Sequence, residues 1–114
     1  MAFALGALLL VASAAEPWTR QDVPPAISAA AENYGVSEAL LACMAFRESS
    51  NNPYAIGAAG ERGVFQLKPG VGRLNDFFAR GYTDEWSPYQ QADYVAQSIR
   101  EGTGSAWTTY RGCL

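Results

Sequence analysis

Between Ala39 and Phe46 the chain carries an unbroken run of apolar or small residues, and Arg47, Glu48, Ser49 and Ser50 follow it at once. A solvent-facing helix returns to polar positions every turn, so this run predicts a helix buried round most of its circumference. Ser37 is placed to cap its start. Asn51-Asn52-Pro53 sets its end, because the residue before a proline is pushed out of the helical region. Other helices surround it. Pro24-Pro25 opens a segment that stops at Gly35 and puts Ile27, Ala30, Ala31 and Tyr34 on one face. Val71, Leu74, Phe77 and Phe78 fall at helical spacing before Gly81. Ser87, Pro88 and Gln90 read as a capping box for a helix with the stripe Ala92, Val95, Ala96 and Ile99, ending at Glu101-Gly102. In the tail, Ser105 is placed to cap a final turn around Trp107 and Tyr110.

The pattern changes after Ala55. Gly57, Gly60 and Gly63 cut the chain into tight turns around short extended pieces, which predicts a small hairpin or irregular lobe. The fold expected is therefore mainly α, an α+β arrangement of four to five helices around a buried central helix with a small β-hairpin lobe. Residues 1–15, MAFALGALLLVASAA, form an uncharged apolar run ending in small residues. It is short for a spanning helix of roughly 20 residues and suits a signal peptide, with Ala12-Ser13-Ala14 as cleavage site, although no Lys or Arg precedes it. The alternative is a buried N-terminal helix. Residues 16–23 read as a linker in which Trp18 is a lone packing residue, and residues 24–114 as one domain.

With 114 residues, 49% hydrophobic and 17% charged, the chain has the make-up of one globular domain. Its net charge of -3 argues against a nucleic-acid partner, which calls for a basic stripe. Histidine is absent, which excludes Ser-His-Asp and Cys-His nucleophile systems and an HExxH zinc site. No metal and no cofactor is expected. Cys43 and Cys113 are either two inert thiols or one disulfide; export into an oxidising compartment favours the bond, worth about 2–4 kcal/mol.

Glu48 is the residue with chemistry to offer. At the C-terminal end of an apolar helix, partial burial disfavours its anion and the negative end of the helix dipole repels it. Both raise its pKa, and a carboxylic acid kept protonated near neutral pH is what a general acid needs. The plainer reading is a solvated end charge paired with Arg47.

The residues beyond Glu48 bear on that choice. Glu48-Ser49-Ser50-Asn51-Asn52-Pro53-Tyr54-Ala55 resembles the E-S-x-x-N-P-x-A signature of SLT-type lytic transglycosylases. Without a gap, Ala59-Gly60-Glu61-Arg62-Gly63-Val64-Phe65-Gln66-Leu67-Lys68-Pro69 resembles their A-G-x-x-G-L-M-Q-L-M-P segment. The resemblance implies a lysozyme-like domain over residues 24–114. It makes Glu48 the catalytic acid and base, Ser49 its support and Gln66 a lining of the sugar groove, with Tyr89 or Tyr94 on a flanking helix. The sequence departs from the pattern at Asn51, where the family has an aromatic, at Phe65 for Met, at Glu61 for a small residue and at Lys68 for an apolar one. These positions touch groove shape, and Phe65 with it, more than the acid. The family's A-Y-N-A-G motif is missing, and Tyr110 is the candidate for its tyrosine, with a core aromatic as the alternative. The tail is similar to the W-x(n)-C ending of resuscitation-promoting factors, whose last Cys bonds to one near the catalytic Glu.

The implied reaction is cleavage of the MurNAc-GlcNAc β-1,4 bond of peptidoglycan by one carboxyl, leaving 1,6-anhydro-muramic ends. The muramic C6 hydroxyl takes the place of water, so proximity replaces a second base. Glu61, inside the motif, would favour a hydrolytic lysozyme if it reached the far side of the cleft. The third reading is a non-catalytic wall-binding module. The implied setting is a monomer exported to the periplasm, cell wall or medium, with peptidoglycan strands as its partner.

Overall fold

The computed structural model describes residues 17–114. The signal peptide expected at residues 1–15 and the first linker residue lie outside the described residues. Among the described residues there are five α-helices: α1 (Val23–Tyr34), α2 (Glu38–Ser49), α3 (Arg73–Ala79), α4 (Pro88–Arg100) and α5 (Thr108–Cys113). Short 3-10 turns at Arg20–Asp22 and Gly104–Ala106 precede α1 and α5.

The mainly helical fold is the expected one, but the central place goes to a different helix. α4 buries Gln91, Ala92, Tyr94, Val95, Ala96 and Ser98 and pairs chiefly with α1, whose Ala26, Ile27, Ala30 and Ala31 are small enough for close packing. α2 buries only Leu40, Leu41, Met44 and Ala45, while Ala39 and Ala42 face solvent and Phe46 is 65% exposed. Burial round most of α2 is thus corrected to burial of one stripe. Alanine reads the same inside and outside, so the run could not reveal the open side.

Helix ends follow the local signals. Ser37 accepts from Leu40 N–H at 3.1 Å, and Gly35 closes α1 in the left-handed region at φ 65°. Ser87 likewise accepts from Gln90 N–H at 3.2 Å. The reciprocal half of that capping box is absent, because Gln90 Oε1 accepts instead from Thr83 N–H (2.7 Å) and Asp84 N–H (3.1 Å). In α3, Leu74 and Phe77 are buried as the spacing predicts, whereas Val71 precedes the helix and is exposed, as is Phe78. Ser105 lies within a 3-10 turn, and α5 begins after Trp107 without a side-chain cap.

The hairpin lobe is reduced to two single-residue bridges, Ile56 with Arg62 and Arg62 with Leu67. Three apolar side chains, Val64, Phe65 and Leu67, anchor it in the core. So does Gln91, whose Oε1 accepts from Phe65 N–H (2.8 Å) and whose Nε2 donates to the carbonyls of Arg62 (2.9 Å) and Glu85 (2.6 Å). Gly63 lies against that amide at φ 81°, where a Cβ would collide with Gln91 and the Glu85 carbonyl.

The stretch expected as a linker is a docked turn over its described part. Thr19 N–H donates to Asp22 Oδ2 at 2.9 Å, Thr19 Oγ1 accepts from Gln21 N–H, and Trp18 Nε1 donates to Asp84 Oδ2 at 3.0 Å. At the other end, Cys43 and Cys113 form a disulfide that ties α5 to α2 across 70 residues of chain.

Candidate active site

Glu48 occupies the last turn of α2. Beyond it Ser50 (φ 53°) and Asn51 (φ 62°) take the left-handed conformation and turn the chain sharply into Asn52, whose Oδ1 accepts from Tyr54 N–H at 3.0 Å. Among the described residues one further non-glycine residue, Gln66 at φ 52°, has a positive φ. Backbone strain of this kind costs about 1–3 kcal/mol per residue and gathers at functional sites. Here two of the three strained residues closely follow Glu48, and the third shares its cleft.

That cleft has a volume of about 280 Å³ and is lined by Glu48, Glu61, Gln66, Lys68, Ala106, Trp107 and Thr108. α2 supplies the acid, the lobe supplies Glu61, Gln66 and Lys68, and the tail closes the third side. Glu48 is half-buried, and loss of hydration raises its carboxyl pKa above the ordinary value. The Thr109 hydroxyl, donating to Glu48 Oε2 at 2.7 Å, opposes this, while the Glu61 charge adds to it. Arg47 does not pair with Glu48; its guanidinium lies on Gly112, where a Cβ would stand 2.5 Å from Nη1.

Glu61 is pushed the other way. Hydrogen bonds from its own backbone N–H and from that of Ala59 (2.8 Å to Oε1) hold its pKa below the ordinary value, and Lys68 contributes in the same direction. One cleft therefore holds a carboxyl biased toward the acid and another biased toward the anion, the division of labour that acid-base sites use.

Gln66 is in the cleft, with its amide committed. Nε2 donates to the carbonyls of Gly63 (3.0 Å) and Ala55 (3.2 Å), so Oε1 is the atom left to meet a ligand. It lies beside Glu61 Oε1 over Gly57, where a Cβ would come within 2.5 Å of both oxygens. Any larger residue at Gly57 would displace the two lobe groups together.

Other expected site residues lie elsewhere. Ser49 Oγ donates back to the Ala45 carbonyl at 3.1 Å, on its own helix. The Phe65 side chain is fully buried in the core. Tyr94 is buried as well, its hydroxyl on Asp76 Oδ2 at 2.7 Å. Tyr89 is 41% exposed and lines a different cavity, between α1 and α4. Tyr110 packs on Gly104, at 2.8 Å from a Cβ built there, against the core rather than in the cleft. The tail residue that does reach Glu48 is its neighbour Thr109, which sequence reasoning missed. A signal for it existed: Thr109 is four residues before Cys113, on the same face of α5, so the disulfide that brings Cys113 to α2 brings Thr109 as well.

A small mainly α domain with a half-buried glutamic acid at a helix end, facing an irregular lobe across a cleft, has the lysozyme-like arrangement. The chain belongs to the transglycosylase SLT domain family, whose model matches residues 25–108. Membership places it among the lytic transglycosylases that act on peptidoglycan. The match ends before Thr109 and Cys113, so the likeness of the tail to resuscitation-promoting factors rests on sequence pattern alone. No curated protein and no solved structure matches the chain. None of the described helices is long and apolar enough to cross a membrane.

Proposed function

We propose that the protein cleaves the MurNAc-GlcNAc β-1,4 bond of peptidoglycan as a lytic transglycosylase, with Glu48 as its one acid and base. The observation that carries this reading is the place of the half-buried Glu48 carboxyl, at the end of α2 and lining the cleft, where loss of hydration favours its protonated form. Protonated Glu48 gives its proton to the glycosidic oxygen as the bond from C1 to that oxygen breaks. The resulting carboxylate accepts the proton of the muramic C6 hydroxyl while that oxygen closes on C1, and Glu48 returns to its starting state. Thr109 assists the middle of this cycle, since its donated hydrogen bond favours the anion. Glu61 is biased toward its anion in the same cleft, and its charge helps to keep the Glu48 proton in place until it is transferred.

A second reading draws on the same Glu61. As a base for water it would make the enzyme a hydrolytic lysozyme, a reaction that in an inverting site sets the carboxyls roughly 6.5–9.5 Å apart. Mass analysis of the products from purified peptidoglycan separates the two. Anhydro-muramic ends support transglycosylation, and reducing ends would replace it with hydrolysis. The Cys43–Cys113 disulfide supports an exported protein working in the periplasm or cell wall.

A further inference from the structure

Of the three tryptophans and six tyrosines, Tyr34, Tyr82, Tyr94, Trp107 and Tyr110 belong to the core or pack against it. The other four stand outside it and meet one another. Trp18 lies 6.0 Å from Tyr89 between ring centroids, Tyr54 lies 5.8 Å from Trp86, and Trp18 N–H donates to Tyr54 Oη at 3.1 Å. All four are partly exposed. Aromatic surface left against water gains little from the hydrophobic effect, so a contiguous group of it marks a place where something docks.

This group is also held still. Trp18 is pinned through its indole to Asp84 and through its backbone to Tyr54, and the next residues are locked by the Thr19–Asp22 capping bonds. Arg20 Nε donates to the Ser50 carbonyl at 3.1 Å, just past the catalytic helix. Between these groups lies a pocket of about 470 Å³ walled by Trp18, Arg20, Gln21, Asn52, Pro53 and Tyr54. It shares no lining residue with the Glu48 cleft. Among the described residues no carboxylate pairs with Arg20, which leaves the outer nitrogens of its guanidinium to a ligand.

The chemistry of the walls specifies the ligand. An aromatic face receives the C–H face of a pyranose ring, the side-chain amides of Gln21 and Asn52 suit hydroxyl and N-acetyl groups, and a guanidinium takes a carboxylate. We propose that the Trp18–Tyr54 pocket is a second glycan site, outside the Glu48 cleft, binding a stretch of strand in which an N-acetylated saccharide bears a carboxylate. The proposal rests on the peptidoglycan reading for the identity of that strand. It gives the enzyme a hold on the wall that survives each cleavage, which matters for a chain of net charge -3 that has no long-range attraction to an anionic polymer.

The test uses the Glu48→Gln chain, so that glycan is not consumed, with NMR titration of two probes: a tetramer of N-acetylglucosamine and a disaccharide-peptide muropeptide. Both probes should shift the Trp18 indole signal, in addition to any effect at Glu61 and Gln66. Trp18→Ala should weaken that binding about tenfold for both. Arg20→Gln, an exposed change that gives up the guanidinium together with its bond to the Ser50 carbonyl, should weaken the muropeptide about tenfold and the tetramer less than about twofold, in a chain whose Trp18 and Tyr54 signals match the parent's. Signals that move only in the Glu48 cleft, or affinities read from the Gln21 and Asn52 side-chain amides that neither substitution changes in chains that melt like the parent, would overturn the site. Equal losses for both probes on Arg20→Gln would overturn the carboxylate assignment. A parent chain that binds through Trp18 but cuts no peptidoglycan overturns the catalytic reading and not this site, whereas one that cuts while binding is indifferent to Trp18 does the reverse.

Discussion

Thr109 donates its hydroxyl hydrogen to Glu48 Oε2 at 2.7 Å, from a helix whose last residue is disulfide-bonded to the helix that carries Glu48. The acid is therefore tuned by a side chain from the far end of the chain. Thr109→Val keeps the shape and removes the donor. Since that bond favours the anion, its loss should raise the Glu48 pKa further and move the alkaline limb of the pH profile of kcat/KM to higher pH. Thr109→Ser should restore the parent profile, and rates at the optimum should fall only about two- to tenfold.

Glu61→Gln should move the same limb in the opposite direction. The Glu61 charge raises the Glu48 pKa, so removing it lets Glu48 ionise at lower pH. The size of the rate change separates the two proposed reactions. With one catalytic carboxyl the optimum rate stays within about tenfold, while loss of a true general base costs about 10²–10⁴-fold.

Breaking the disulfide should affect stability and tuning together. Reduction, or Cys113→Ser, releases a closed loop of 70 residues and should lower the unfolding free energy by about 2–5 kcal/mol in guanidinium titrations. It also frees α5, so the remaining activity should show the raised alkaline limb of Thr109→Val. An unchanged pH profile in the reduced chain would show that Thr109 holds its place without the bond.

Gln91→Leu tests how the lobe is held. Leucine fits the volume but leaves Phe65 N–H and the Glu85 carbonyl without their partner, while the Arg62 carbonyl keeps Leu67 N–H at 2.9 Å. An unpaired buried group costs about 1–3 kcal/mol, so the loss across two should reach about 2 kcal/mol or more in equilibrium unfolding. A loss well below that would mean that Val64, Phe65 and Leu67 alone anchor the lobe.

Sequence signals are most reliable where one residue decides a local geometry. Ser37, Gly35 and Ser87 mark helix ends for reasons contained in their own side chains, and the structure uses all three. Glu48 can be placed at a helix end because Pro53 and the polar run leave little choice. What the pattern cannot show is which face of a helix is covered. Ala39 and Ala42 point to solvent and Ala30 and Ala45 to the core, with nothing in the residue to tell them apart. Gln91 and Ser98 look like surface residues, yet each is buried with its polar atoms satisfied by backbone. Tyr110 in place of Thr109 is an error of one residue, about 100° round a helix. The family motif singles out tyrosine, but the face turned to Glu48 is set by the disulfide.

The most direct measurement compares strand cleavage of purified peptidoglycan by the parent chain and by Glu48→Gln across pH. The amide keeps the size of the side chain and can still accept from Thr109, but it has no proton to give. The account predicts that the parent releases muropeptides and that Glu48→Gln is slower by about 10²–10⁴-fold at every pH. Cleavage by Glu48→Gln at the parent's rate would contradict it.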